Sequence, residues 1–441
     1  MTHAAFPDLA GDNVFKTTET TVTDAPTTVV ASFTTSADTE LGQVVFTGHK
    51  DTALYIDWRG DGTEYVQYPV VDETYTAYLN QTTYAGANVK VYTYESADDI
   101  SVFSISDIPM TDMDASPLKK LIAFTVSGGG LDENSLRLPL DSDLRELNLS
   151  GNNFSGTDFS QYFHNLVSLN LSGNAYESFD ASKYPSLDVL YLSTNKLTSL
   201  TFGGNNRLWG LMADNNELEE ITFDGCPALS QINLSGNKFA TLDVTPIKDI
   251  LRALDISNNR FTFATLPLAS DCPLMLVYGY LGQAKIETSC ADGLVDLSSQ
   301  ASVNGTDTEY KWYLGDVTYD TETSEYTGEA LYSDIDDPEN PEFSVDGGVT
   351  SFHTTFDNYV TGLLTNAQFP GLTLMTVPVT VDRSGIEDIL ADSDKNENVD
   401  VFILSGVQVL KAAAPASVGS LAPGLYIVKS KDSKARKVMV K

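Results

Sequence analysis

An asparagine returns at near-constant intervals through the middle of this chain: Asn152, Asn174, Asn195, Asn216, Asn237 and Asn259. Each stands ninth in a segment of the form LxxLxLxxNx(L/F/Y), with Ile or Ala in a few of the leucine places. The segments begin at Leu144, Leu166, Leu187, Leu208, Leu229 and Leu251. A weaker copy precedes them, with Leu121, Phe124, Val126 and Leu131 in the apolar places and Gly129 where asparagine is expected. The seven starts are 23, 22, 21, 21, 21 and 22 residues apart. A unit this short cannot bury its own apolar side, so the copies must stack into one continuous core.

The interval and the residue order resemble a leucine-rich repeat, for which periods of roughly 20 to 29 residues are expected. The resemblance implies a solenoid with a strand-lined concave face, a surface suited to binding rather than catalysis. Positions 1, 4 and 6 of each copy, for example Leu187, Leu190 and Leu192, are expected to point inward. A second apolar step at Phe179, Leu200, Ile221 and Leu242 feeds the same core from the opposite side, where extended or 3-10 segments are expected. The asparagine amide both donates and accepts, so it suits backbone groups left unpaired where the chain leaves each strand. These residues are therefore read as scaffold.

With 441 residues the chain exceeds one compact domain, and about three domains are expected. Residues 1–28, polar and threonine-rich, read as a flexible tether. Residues 29–107 carry short β-branched or alternating runs such as QVVFT, ALYIDW and VKVYTY, separated mostly by turn residues, which predicts an antiparallel sandwich. Within it, LYIDWRGDGTE resembles the PKD type of immunoglobulin-like domain, with Arg59 intruding between Trp58 and the Gly-Asp-Gly. Asp57 and Asp61 offer a weak cation site there, although Asp61-Gly62 is also an ordinary tight-turn dipeptide and Trp58 an ordinary core residue. The solenoid is placed at 108–272.

Residues 273–383 read as a second β domain, in which Tyr310-Lys311-Trp312-Tyr313 resembles the central aromatic strand of immunoglobulin-like folds. Its first strand, near Leu274 to Tyr280, is expected to cap the open end of the solenoid. A polar, acidic linker at 384–398 leads to residues 399–441. There the strand ending at Ser405-Gly406, the run Leu421-Ala422-Pro423-Gly424-Leu425-Tyr426-Ile427-Val428 and the ending Lys437-Val438-Met439-Val440-Lys441 resemble the C-terminal sorting domain of the Por (type IX) secretion system of Bacteroidetes. That resemblance implies export and a secreted or cell-surface location. From pattern alone this last region is a small β-sandwich. The fold class expected overall is mainly β: a solenoid flanked by immunoglobulin-like sandwiches.

Lys plus Arg number 26 against 61 Asp plus Glu, a net charge of −35. Such a polyanion gains no counterion-release energy on nucleic acid and is repelled by anionic lipid, so neither is an expected partner. No apolar run reaches the roughly 18 residues of a membrane-spanning helix. The opening MTHAAFPDLAGDNVF lacks the basic and apolar stretches of a signal peptide, so an exported form would already have lost its signal. Cys226, Cys272 and Cys290 show no CxxC spacing; the first two read as buried filler, with a Cys272–Cys290 bridge as the alternative. His3, His49, His164 and His353 are scattered without metal-ligand spacing. No catalytic residue, metal site or cofactor is read from this sequence, and the chain is read as a monomer. Asp51-Thr52-Ala53 resembles a Bacteroidetes O-glycosylation motif, or is a plain loop.

The candidate site lies on the concave strands. Position 5 of the copies runs Asn148, Asn170, Tyr191, Met212, Asn233, Asp255, and position 7 runs Ser150, Ser172, Ser193, Asp214, Ser235, Ser257. Tyr191 and Met212 break the polar series side by side, Trp209 stands at the entrance of the same strand, and Asp214 lies beyond it. Exposed aromatics among small polar residues make a recognition patch; the alternative is cross-strand filler with Trp209 folded over the gap left by Ala213. The expected function is non-enzymatic recognition of a protein ligand, with glycan capture or a ligandless structural spacer as the alternatives.

Overall fold

The computed structural model describes residues 26–38, 43–48, 52–63, 65–69, 75–78, 84–94, 96–140, 142–323, 325–381, 398–403, 407–421, 424–430 and 436–440. Most of the tether, Asp51, His3, His49, nearly all of the linker, Ser405-Gly406 and Ala422-Pro423 lie outside the described residues. The chain divides into two compact units. One comprises Met1–Lys238, Leu242–Ile256 and Pro267–Gly279; the other comprises Phe239–Thr241, Ser257–Leu266 and Tyr280–Lys441.

The first unit opens with β1 (Thr28–Thr35), β2 (Gln43–Gly48), β3 (Ala53–Asp57), β4 (Val66–Pro69), β5 (Tyr75–Tyr78), β6 (Asn88–Thr93), β7 (Ile100–Ser106), β8 (Met110–Asp114), β9 (Ala123–Ser127) and β10 (Leu136–Arg137). A six-stranded sheet has the order β10-β8-β1-β6-β3-β4. Its core includes Trp58, 2% exposed, whose indole N–H donates to the Tyr68 hydroxyl at 3.2 Å. Asp57 is buried: its two carboxylate oxygens accept from the Gly60 and Gly62 N–H groups at 2.8 and 2.9 Å. Asp61 accepts from the Thr63 N–H at 2.9 Å. Both carboxylates thus serve the turn that Gly60 and Gly62 close with φ of 71° and 74°.

The repeats form β11 (Glu146–Asn148), β12 (Ser168–Asn170), β13 (Ser178–Asp180), β14 (Val189–Tyr191), β15 (Ser199–Thr201), β16 (Gly210–Met212), β17 (Gln231–Asn233), β18 (Ala253–Asp255) and β19 (Val277–Gly279). All but β13 and β15 join one 11-stranded sheet in the order β19-β18-β17-β16-β14-β12-β11-β9-β7-β2-β5. From β7 to β19 the pairing is parallel and in step. Phe103, Phe124, Leu147, Leu169, Leu190, Leu211, Ile232 and Leu254 consequently form one buried row. Strand β7, which the sequence suggested belonged to a separate sandwich, is thus the first strand of the stack. On the opposite side, β13 pairs with β15, and 3-10 turns span Phe159–Gln161 and Ala181–Lys183. Every described helix is a short 3-10 turn.

Each ladder asparagine ties its own coil to the preceding one. Asn216 Oδ1 accepts from the Leu197 N–H at 3.0 Å, while its Nδ2 donates to the Leu192 and Ala213 carbonyls at 2.9 and 3.1 Å. Asn237 repeats the pattern with the Leu218 N–H and the Ala213 and Leu234 carbonyls, all at 3.0 Å. The residue just before each asparagine is left-handed: φ is 67° at Gly151, Gly173 and Gly236, while Thr194 (56°), Asn215 (54°) and Asn258 (54°) fill that place in the other coils. A β-branched residue there is strained, so Thr194→Gly should stabilise the fold by about 1 kcal/mol, the relief of the left-handed backbone partly offset by glycine's entropy. A thermal melt would check it; a lower midpoint would show that the threonine side chain contributes more than its backbone costs.

The second unit contains β20 (Cys290–Ala291), β21 (Leu294–Asp296), β22 (Ser302–Val303), β23 (Thr306–Asp320), β24 (Glu325–Ala330), β25 (Phe343–Asp346), β26 (Val349–Phe352), β27 (Val360–Asn366) and β28 (Thr373–Met375). These make two sheets, β20-β21-β26-β25 and β22-β23-β27-β28, with β24 beside β23. Trp312 of the second sheet, 1% exposed, donates its indole N–H to Thr350 Oγ1 at 3.1 Å and meets Phe352 edge-on at 5.0 Å, both on the first sheet. Gln283 takes the asparagine's place in a final coil, its Oε1 accepting from the Phe261 N–H at 3.0 Å. A four-stranded sheet, β30 (Gln408–Ala413), β29 (Val399–Ile403), β31 (Gly424–Ser430) and β32 (Arg436–Val440), has its own small core of Val399, Val401, Val418, Tyr426 and Val428.

Cys226 and Cys272 are buried free thiols, so the alternative Cys272–Cys290 bridge is not formed. Burial pushes the Cys226 thiol up to about 11.

Candidate functional site

Side chains at positions 3, 5 and 7 of the coils face away from the core, because successive residues of a strand alternate sides. At position 5 the asparagines do not project. Asn148 Oδ1 accepts from the Ser150 N–H at 3.0 Å, Asn170 Oδ1 from the Ser172 N–H at 3.0 Å, and Asn233 Oδ1 from the Ser235 N–H at 3.1 Å. Each curls back onto the backbone two residues ahead, the local closure typical of Asn and Asp. These coils therefore spend their outward polar groups on themselves.

Tyr191 and Met212 cannot do this, and they are direct register partners across β14 and β16. Both are half-buried on the sheet face. Among the described residues, no hydrogen bond reaches the backbone N–H of Ser193 or Asp214, the two groups that an asparagine at position 5 would have satisfied. Trp209 precedes Met212 in the same coil. Its backbone is pinned on both sides, its N–H donating to the Asp188 carbonyl at 2.9 Å and its carbonyl accepting from the Ser230 and Gln231 N–H groups at 3.0 Å. Its indole keeps 42% of its surface open, while Ala213 is fully buried.

The Asp214 carboxylate accepts from the Ser193 hydroxyl at 2.5 Å, from Asn233 Nδ2 at 3.1 Å and from Asn215 Nδ2 at 2.7 Å. All three are neutral donors, and among the described residues no salt bridge involves this carboxylate. Beside Trp209 the situation differs: Arg207 grips Asp188 with two bonds of 2.8 and 3.0 Å, which holds the Asp188 carboxyl below the usual carboxylate range. The structure thus brings Tyr191 and Met212 into contact distance of adjacent strands, keeps Trp209 open in the same coil, and sets Asp214 two residues beyond Met212.

Position 2 of the coils also carries open apolar groups: Ile122 is 47% and Leu276 79% exposed. Its series, Ile122, Arg145, Val167, Asp188, Trp209, alternates apolar and charged residues, a signal that was available from the repeat alignment. A hollow of about 420 Å³ lies among Val102, Ile122, Arg145, Glu146 and Val167, and another of about 330 Å³ among Asp143, Arg145, Val167 and Arg207. On the opposite side a hollow of about 450 Å³ is lined by Thr157, Asp158, Tyr176, Lys183 and Tyr184. Asp158 there pairs with Lys183 at 2.9 Å, and the Tyr184 hydroxyl accepts from the Phe159 N–H at 2.9 Å, while the buried Thr157 hydroxyl has no partner among the described residues. Among the described residues no group of three or more His, Cys, Asp or Glu is placed to hold a metal, and no helix is long and apolar enough to cross a membrane.

Stacked parallel coils, an asparagine ladder and a strand-lined face define a leucine-rich repeat solenoid, a fold consistent with a protein-interaction module. The Leucine Rich Repeat family model matches residues 143–163. No curated protein matches the chain. Among solved structures, InlP of Listeria monocytogenes is 16% identical over 61% of this chain and 77% of its own, with a TM-score of 0.40. The leucine-rich effector YopM of Yersinia pestis is 21% identical over 40% of this chain and 46% of its own, with a TM-score of 0.32. The leucine-rich repeat domain of APL1B is 21% identical over 38% and 49%, with a TM-score of 0.33. The chain thus spans about half the length of YopM and of the APL1B domain, and at such scores the likeness does not extend to function. None of the matches points to an enzymatic family.

Proposed function

We propose that this chain is an exported, non-enzymatic binding protein, secreted or held at the cell surface, whose repeat face recognises a protein ligand around Tyr191, Trp209, Met212 and Asp214. The observation that carries this reading is the open Trp209 indole in the same coil as Met212, whose register partner is Tyr191, on a sheet where the Asn148, Asn170 and Asn233 coils close on themselves. Aromatic anchors surrounded by small polar residues dominate protein recognition energetics. Export rests on the resemblance of residues 399–441 to the Por sorting domain, and the flanking regions are read as immunoglobulin-like spacers. The chain is read as a monomer without a cofactor. The self-closing asparagines favour, as a second reading, a spacer without a specific ligand, and a bare indole also suits stacking on a sugar ring.

A pull-down of host proteins run beside a glycan array separates these readings. With the ligand in hand, the double variant Trp209→Ala/Tyr191→Ala is expected to lose about 100-fold in affinity. Undiminished binding would remove the patch from the face.

A further inference from the structure

The chemistry of the partner follows from what the Tyr191 and Met212 coils leave unused, and it rests on the binding reading above. In three neighbouring coils an asparagine oxygen sits 3.0 to 3.1 Å from the position-7 N–H. At Ser193 and Asp214 that place holds no acceptor among the described residues, and the two coils are adjacent in the stack, so two donors lie about 4.8 Å apart. A donor left without a partner under a docked ligand is costly, so the ligand must bring acceptors to this spot. The strained left-handed Thr194 directly follows Ser193, a third departure from the coil rule in the same place.

Charge supplies the second half. Positions 5 and 7 from Asn148 to Ser257 contain Asp214 and Asp255 and no lysine or arginine, on a chain of net charge −35. Asp214 is held by three neutral donors and joins no salt bridge among the described residues, so the site offers a positioned negative charge on the same face as Tyr191. We propose that these two coils receive an extended polypeptide segment bearing a lysine or arginine. Its main-chain carbonyls accept from the Ser193 and Asp214 N–H groups, and its cation lies against the Asp214 carboxylate and the Tyr191 ring, where cation–π attraction adds to the ion pair. A sugar hydroxyl would satisfy the N–H groups equally well, but it leaves the carboxylate without a counter-charge.

The test is selection of a displayed random-peptide library on the full chain, with the winners measured against two variants. Tyr191→Asn/Met212→Asn restores the position-5 asparagine that neighbouring coils tolerate, so it should fold with an unchanged or higher melting point. Asp214→Asn keeps the shape and removes the charge. Winners that share a Lys or Arg, weaken about tenfold or more on each variant and lose affinity with salt would support the proposal. Neutral or acidic winners that are nevertheless lost on Trp209→Ala/Tyr191→Ala would overturn it and leave the binding face standing. Winners indifferent to all these variants, or a selection without winners beside a positive glycan array, would overturn both the proposal and the protein-binding reading.

Discussion

Asn216→Ala is expected to lower the unfolding free energy by about 2 kcal/mol, because it orphans the buried Leu197 N–H and takes one of two asparagine donors from each of the Leu192 and Ala213 carbonyls at a site closed to water. The cost depends on burial. Asn216 and Asn237 are each 7% exposed, whereas Asn174 and Asn195 are half-buried, so water can take over part of the lost bonding there. Urea titrations of all four alanine variants should therefore order them, with Asn216 and Asn237 the most damaging and Asn174 and Asn195 losing roughly half as much. Equal losses would mean that the ladder acts through chain geometry rather than through satisfied backbone groups.

The second large effect is predicted far from any leucine consensus. Phe103, fully buried in β7, is the first member of the inward row and pairs in register with Phe124 of β9. Truncating it to alanine removes a large ring from the packed core and should cost about 3–5 kcal/mol. Because β7 and β9 share one sheet, the loss should reach the repeats: amide exchange in β9 and β11 should speed up together with that of β1 and β2. Faster exchange confined to the residues before 107 would show that the early strands fold on their own.

How much of this was legible in the sequence varied with what carried each feature. The coils from Leu144 to Leu251 announce themselves because both the buried leucines and the ladder asparagine recur in the chain. The two end strands do not. In β7, Phe103 and Ile105 fit the inward positions, but Asp107-Ile108 stand where Gly-Asn is expected; in β19, Tyr278 and Tyr280 replace leucine and Gln283 replaces asparagine. The break at Tyr191 and Met212 was visible as composition. Its meaning was not, because nothing in a string of letters says that the flanking asparagines bend back onto their own backbone. Trp209 lies at a position whose exposure depends on the neighbouring coils, Asp188 being drawn away by Arg207.

The unbroken pairing of β7 with β9 also sets where the outward sheet face begins. Val102, Ser104 and Ser106 fall in the same three outward files as Ala123, Thr125 and Ser127, and the Ser127 hydroxyl donates to that of Ser106 at 2.9 Å. A fragment cut at the first leucine consensus would therefore lose a strip of that outward face. Fragments made for ligand screening should start ahead of Thr28, and a footprint mapped on such a fragment can be expected to cross from the repeats into residues that carry no repeat signature at all.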